Sequence, residues 1–109
     1  MTNFDEISRE LHETAKSKGF YDDLKMDEFV SQAKQLMMLA SEVTEVMEAL
    51  RKDKGEEAVV EEIADILIRS LDLFAALKES GVVTSSLDDV FLSKTETNKG
   101  RPVMHGVLG

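Results

Sequence analysis

The sequence contains no cysteine, and this absence excludes several kinds of chemistry at once. Disulfide bonds, thiolate nucleophiles and zinc–sulfur centres all require cysteine. No apolar run approaches the roughly 18 residues that a membrane-spanning helix requires. The opening residues, MTNFDEISRE, are acidic where a secretory signal would be basic and then apolar. We therefore expect a cytoplasmic protein that has no membrane partner.

Positive charge is also scarce, with 13 Lys and Arg residues against 22 Asp and Glu residues and a formal net charge of −9. Nucleic acids and anionic membranes are bound through basic surfaces, so neither is an expected partner. The excess of acid is compatible with the binding of divalent cations, and equally with simple solubility. At 109 residues the chain is expected to form a single domain, residues 1–109.

Residues that break helices are few: the chain has one proline and six glycines. Gly19, Gly55 and Gly81 are predicted to end helices, because glycine adopts the left-handed backbone without a side-chain clash. Between them, apolar residues recur at helical spacing, and no segment shows the alternation of a strand. The predicted class is all-α, a four-helix protomer whose second and third helices form a long antiparallel central hairpin. The helices are predicted from Phe4, from about 27 to 51, from about 56 to 78, and from Ser86 to about 98, with a loop or tail from about 99 to 109.

The predicted second helix carries an apolar seam whose members are separated alternately by four and three residues, which is typical of a helix that packs against a partner. The seam consists of Phe29, Ala33, Leu36, Ala40, Val43, Met47 and Leu50. The third helix carries two adjacent apolar stripes, wider than one partner helix can cover. Large exposed apolar surfaces usually mark interfaces. We therefore expect a homodimer or a homotetramer built as a helical bundle.

Two acidic patterns interrupt these apolar helices: Glu42 and Glu45 in SEVTEVMEAL, and Glu62 and Asp65 in EEIADIL. A short connection between two helices makes them antiparallel neighbours. If the turn is centred between residues 53 and 54, Glu45 lies opposite Glu62 and Glu42 lies opposite Asp65. Four carboxylates would then occupy two adjacent levels of one hairpin, where methionine and alanine neighbours exclude water and favour a bound cation.

Two simpler interpretations of these acids remain open. They can belong to ordinary solvated faces, since most acids on helices do. Asp65 can also pair with Arg69, which lies one turn further along the same helix. Neighbouring acids such as Glu48 and Glu61 are assigned to solvent.

The candidate ligands are all hard oxygens, which favour Mg²⁺, Mn²⁺ or Ca²⁺. The Glu-x-x-His pairs of di-iron bundles are absent, because neither of these helices contains histidine. The spacing of an EF-hand calcium loop is absent as well. Four carboxylates repel one another, so a polyphosphate bridged by metal ions is their natural complement.

In these motifs the sequence resembles the MazG-like nucleotide pyrophosphohydrolases, which are all-α NTP pyrophosphatases. Their signature is E-x-x-E, a spacer and E-x-x-D, and the segment LHETAKSKGFYDD is similar to the first helix and turn of small members. The resemblance extends from about Phe4 to Gly106. The matching residues are Glu42, Glu45, Glu62 and Asp65, followed by Lys94, Asn98, Arg101-Pro102 and His105-Gly106.

The resemblance implies that a nucleoside or deoxynucleoside triphosphate is hydrolysed to the monophosphate and pyrophosphate in nucleotide-pool house-cleaning. It implies Mg²⁺, with Mn²⁺ as a substitute, held by the four acids, which are also the catalytic residues. The expected phosphate-binding side chains are Lys94, Asn98 and Arg101, although they also suit an exposed basic helix end. His12 is a further candidate for the substrate pocket, but a lone histidine is more often structural. Phe20 and Tyr21 suit either stacking on a base or closing the core.

Two alternative functions remain. The first is a non-catalytic module that binds another protein through its apolar seams, where Met37, Met38 and Met47 would provide an adaptable surface. The second is a hydrolase of another phosphate anhydride, such as an alarmone.

Overall fold

The computed structural model describes residues 3–102, which form four α-helices and no strand. The helices are α1 (Phe4–Ser17), α2 (Phe29–Arg51), α3 (Glu56–Glu79) and α4 (Leu87–Lys99). The all-α class is therefore confirmed, and the bounds of α2, α3 and α4 lie within two residues of those predicted. His105 and Gly106, at the end of the motif run, lie outside the described residues.

Left-handed backbone occurs next to the ends of helices, both at glycines that were predicted to end them and at one residue that is not glycine. Gly19 and Gly81 adopt φ angles of 81° and 83° just after α1 and α3, as expected. Gly55 has a φ of 101°, yet it precedes α3 and does not follow α2 directly. The residue that turns the chain after α2 is Asp53, with a φ of 51°. Aspartate tolerates this conformation better than most residues, so the prediction for Gly55 is corrected to a helix start.

Helix α3 is the common packing partner of α1 and α2. The buried apolar side chains of residues 3–102 are small, apart from one methionine: Ala15, Met26, Ala49, Ala75 and Ala76. Alanine at these positions lets the helix backbones approach closely. Residues 52–55 connect α2 to α3, so the two acidic patterns lie on directly connected, contacting helices.

Helix α4 packs mainly on α1, and their N-termini cap each other. The carboxylate of Asp5 accepts hydrogen bonds from the backbone N–H of Leu87 at 2.7 Å and from the hydroxyl of Ser86 at 2.5 Å. The carboxylate of Asp88 accepts the N–H of Phe4 at 2.7 Å. The first N–H groups of a helix have no partner within it, and its positive end favours acids. This exchange fixes the start of α4 beside the start of α1.

The charge state of Asp5 reflects this junction. Burial by itself favours the neutral carboxyl, but the hydrogen bonds from Ser86 and Leu87 outweigh it and lower the pKa of Asp5. Ser86 also caps its own helix, as predicted, by accepting the N–H of Asp89 at 3.2 Å. Edge-to-face packing of Phe4 on Phe91, with ring centroids 4.9 Å apart, completes the contact.

The apolar seam of α2 is not covered by the other helices of the protomer. Phe29 is 76% exposed, and Val43, Met47 and Leu50 are also largely exposed. Val60 and Leu67 of α3 are exposed in the same way. The seam is therefore not the surface through which α2 contacts α3. Within residues 3–102, no helix combines the length and the apolar character needed to cross a membrane.

The mutual capping predicts that Asp88→Ala lowers the free energy of unfolding by about 1 kcal/mol, because a lost cap costs roughly that much. Asp89→Ala is the matched control, since it removes the same charge from the same helical turn. Urea unfolding followed by circular dichroism measures both. Equal losses in the two variants would show that charge, and not capping, accounts for the effect.

Candidate active site

Three of the four predicted acids converge. One carboxylate oxygen from each of Glu42, Glu62 and Asp65 lies within 4.8 Å of the others. Glu62 and Asp65 are three residues apart and so share a face of α3. Glu42 reaches them from α2, and its side chain is only 17% exposed. Two contacting helices therefore direct three carboxylates at one point.

Glu45 stands outside this group of three. Glu45 is exposed on α2 and lies one turn nearer than Glu42 to the connection between α2 and α3. Its charge nevertheless acts on Glu62, because Glu45 is one of the groups that raise the pKa of the Glu62 carboxyl. Glu45 therefore lies at the edge of the cluster, within electrostatic reach of its centre.

The cluster concentrates negative charge that its own residues do not neutralise fully. Partial burial raises the pKa of Glu62 first, and the charges of Asp65, Glu45 and Glu42 raise it further. Lys54 opposes the shift as the weakest of these influences. A divalent cation between these oxygens would reverse the repulsion, and hard carboxylate ligands are those that Mg²⁺ and Mn²⁺ prefer. The residues therefore fit a divalent metal.

Arg69 pairs with Glu42 and not with Asp65. Its Nε donates to the Oε1 oxygen of Glu42 at 3.2 Å, from α3 across to α2. No salt bridge joins Arg69 to Asp65 in the part of the chain that the structure describes. The pairing of Asp65 one turn along its own helix, left open by the sequence, is therefore not the one adopted.

A cavity of about 300 Å³ opens beside the acids, with Glu42, Asp65 and Arg69 in its wall. Phe20 and Asp72 line the same cavity. A second cavity of about 230 Å³ shares Phe20, Asp72 and Arg69 with the first. Its other lining residues include Tyr21, Lys34, Gln35 and Met38. Phe20 is 65% exposed, so its ring faces open space at the junction of the two cavities.

His12 occupies a structural position between α1 and α3. It is only 4% exposed, and its ring nitrogens lie 2.8 Å from Asp72 Oδ1 and 2.7 Å from Glu79 Oε2. The phenol of Tyr21 donates to the other oxygen of Asp72 at 2.9 Å. Burial, followed by this hydrogen bond, raises the pKa of Tyr21 and keeps it a donor. His12 lines neither cavity beside the acids, and carboxylates engage both of its nitrogens.

The predicted phosphate-binding residues lie elsewhere in the protomer. Lys94 and Asn98 are exposed on α4, and Arg101 is exposed just after it. None of the three lines a cavity that contains the acids. Within residues 3–102 their side chains form no hydrogen bond or salt bridge. The structure of one protomer therefore does not bring these side chains to the acids.

A family model for the MazG nucleotide pyrophosphohydrolase domain matches residues 31–102, which include α3, α4 and all but the first two residues of α2. The chain belongs to this family. The resemblance seen in the sequence is thereby confirmed, and the protein is a nucleotide pyrophosphohydrolase, a hydrolase of phosphoric anhydrides. Neither the curated proteins nor the solved structures include a significant match to the chain.

Membership of the MazG family bears on one of the alternative functions and on the expected metal. A non-catalytic interaction module is disfavoured, because the family consists of enzymes. The family generally uses a divalent metal, which agrees with the convergence of Glu42, Glu62 and Asp65. The matched segment contains every candidate acid, whereas His12 on α1 lies outside it.

The raised pKa of Glu62 predicts that Glu62→Gln increases the melting temperature of the metal-free protein at pH 7. A carboxyl whose pKa is higher in the folded state destabilises the fold once the pH exceeds its unfolded value, and glutamine removes that penalty. The benefit should disappear below about pH 4, where the carboxyl is protonated in both states. Glu61→Gln, at the neighbouring exposed position, is the control. A lower melting temperature for Glu62→Gln than for Glu61→Gln at pH 7 would contradict the electrostatic account.

Proposed function

We propose that the protein is a Mg²⁺-dependent nucleoside triphosphate pyrophosphohydrolase, which converts a ribo- or deoxynucleoside triphosphate and water to the monophosphate and pyrophosphate. The observation that carries this proposal is the meeting of Glu42, Glu62 and Asp65 from two helices beside a cavity, in a chain of the MazG family. Mn²⁺ would substitute for Mg²⁺, because both prefer oxygen ligands. Removal of unwanted nucleotides from the cellular pool is the corresponding role.

Glu42, Glu62 and Asp65 would hold the metal, and Glu45 is the nearby fourth ligand in this proposal. When bound, the metal neutralises phosphate oxygens and makes water a better nucleophile. The oxygen of water bonds to the α-phosphorus as the bond from that phosphorus to the leaving pyrophosphate breaks. One of the four acids, through an oxygen that does not ligate the metal, also accepts the proton. Phe20, at the mouth of the cavity, offers its exposed ring to the base.

The arrangement proposed for α2 and α3 is an antiparallel hairpin with its turn centred between residues 53 and 54. The closeness of Glu42 and Asp65 supports it, because residues at the same level of such a hairpin have numbers that sum to about 107. The influence of Glu45 on Glu62, the other matched pair, points the same way.

We expect Asp65→Ala and Glu62→Ala to lower kcat by more than about 100-fold, since even residues that only support metal ligands cost 10–100-fold when they are removed. The assay supplies Mg²⁺ and a panel of NTPs and dNTPs, and measures pyrophosphate separately from orthophosphate. Glu48→Ala is the control, because Glu48 lies on the same helix as Glu42 but pairs with Arg51 at the surface.

Three results would count against the proposal. One is the release of orthophosphate instead of pyrophosphate. Another is an inactive wild type across the whole panel, and the last is unchanged activity in the Asp65→Ala variant. Hydrolysis restricted to another phosphate anhydride, such as an alarmone, would keep the enzyme class and change the substrate.

The exposed seam of α2 supports a homodimer or homotetramer. Assembly would bury Val43, Met47 and Leu50, which the protomer leaves in water. Assembly also offers a route by which Lys94 and Asn98 of one protomer can meet the acids of another, since α4 packs mainly on its own α1.

We expect light scattering at micromolar concentration to give a dimeric or tetrameric mass. Leu50→Glu should lower that mass, because it places a charge within the buried seam, whereas Glu57→Lys on the exposed start of α3 should not. A monomeric wild type at this concentration would refute the assembly.

A further inference from the structure

The pairing of Arg69 with Glu42 places a cation inside a site built of acids. Arg69 is one turn beyond Asp65 on α3, yet its Nε crosses to the carboxylate of Glu42 on α2. The side chain of Arg69 is 34% exposed and that of Glu42 is 17% exposed, so the pair is partly shielded from water. Arg69 therefore partly neutralises a residue that is also a proposed metal ligand.

Most of the donors of Arg69 have no protein partner in the part of the chain that the structure describes. A guanidinium has five N–H groups, and only the Nε donor is engaged by another residue among 3–102. In the cavity containing Glu42 and Asp65, Arg69 is the sole cationic lining residue of the described chain, and it also lines the second cavity. A fork of free donors thus faces the space beside the acids.

A polyphosphate that enters this cavity meets the carboxylates of Glu42 and Asp65 as well as the acid of Asp72. Metal ions offset part of that repulsion, and the remaining phosphate charge favours a cationic hydrogen-bond donor. Lys94, Asn98 and Arg101 do not line the cavity in the protomer. Arg69 does, and guanidinium groups bind phosphate oxygens through two parallel hydrogen bonds.

Metal binding and the Arg69 pair use the same carboxylate. A cation that takes Glu42 as a ligand competes with the guanidinium for its oxygens, and also repels it. Metal bound to the acids would therefore weaken the ion pair between Arg69 and Glu42. The guanidinium would then be available to bind a phosphate group.

We propose that Arg69 is a phosphate-binding residue of this site, held in reserve by Glu42 until a divalent metal takes the Glu42 carboxylate. This inference rests on the proposed function, since it supplies the substrate's phosphates with a partner from the same protomer. Binding of the metal by Glu42 would come first, release of Arg69 second, and binding of the polyphosphate tail by Arg69 third.

The test compares wild type, Arg69→Gln and Arg69→Lys by calorimetric titration, first with Mn²⁺ alone and then with inorganic triphosphate in the presence of Mn²⁺. Without Arg69, Mn²⁺ should bind about two- to fivefold more tightly, because a partly exposed ion pair no longer competes. Triphosphate should bind about tenfold or more weakly, as expected for a lost charged hydrogen bond. Arg69→Lys keeps the charge but not the paired donors of the guanidinium. Its triphosphate affinity should therefore lie between those of the wild type and Arg69→Gln.

Arg51→Gln is the matched control. Arg51 pairs with Glu48 on the surface, at the end of α2, and neither titration should change. Weaker Mn²⁺ binding in Arg69→Gln would show that Arg69 only orders Glu42 for the metal, and unchanged triphosphate binding would remove its phosphate role. If Arg69→Gln does not fold, Arg69→Lys decides: triphosphate affinity equal to that of the wild type overturns the proposal.

The titrations test the role of Arg69 separately from the assay of pyrophosphate release that tests the proposed function. A wild type that binds Mn²⁺ and triphosphate but releases no pyrophosphate from any nucleotide refutes the function and leaves the role of Arg69 to the titrations. A wild type that binds Mn²⁺ but no triphosphate overturns the role of Arg69.

Discussion

The repulsion among Glu42, Glu62 and Asp65 is the constraint on which the site depends. Their oxygens lie within 4.8 Å of one another because α2 and α3 contact each other. Partial burial, and then the charges of the neighbouring acids, raise the pKa of Glu62. Like charges gathered in this way destabilise a fold unless something offsets them. Among residues 3–102 the direct ion-pair partner of the cluster is Arg69, which engages Glu42. A divalent cation would complete the neutralisation, and this links the stability of the bundle to its chemistry.

Helix α3 connects this site to the rest of the fold. On one side it presents Glu62, Asp65 and Arg69 to α2, and on the other it receives α1 through the contact of His12 with Asp72 and Glu79. Hydrogen bonds from Lys16, and then from His12, lower the pKa of Glu79, so its carboxylate is ionised at neutral pH. The two sides are close, because Asp72 also lines the cavities beside the acids. The buried histidine therefore supports the wall of the site without belonging to the acid cluster.

Local patterns in the sequence predicted much of this arrangement, and tertiary contacts account for the rest. Helix bounds followed from apolar periodicity and from Gly19 and Gly81, and counting levels across a short connection brought Glu42 to Asp65. The partner of Arg69 was not predictable in this way, since spacing along α3 favours Asp65 whereas packing supplies Glu42. Similarly, the caps exchanged between Asp5 and Asp88 join residues far apart in the sequence, and they direct α4, with Lys94 and Asn98, towards α1. The expectation that these side chains reach the acids stays a prediction that depends on assembly.

The central claim is that the carboxylates of α2 and α3 form a metal centre. Anomalous diffraction from crystals grown with Mn²⁺ tests it most directly, because the ion is located independently of any activity. We expect a strong peak at bonding distance from Glu42, Glu62 and Asp65, and its disappearance in Asp65→Asn crystals. A peak confined to other acids of the surface, or no peak at the cluster under saturating Mn²⁺, would contradict it.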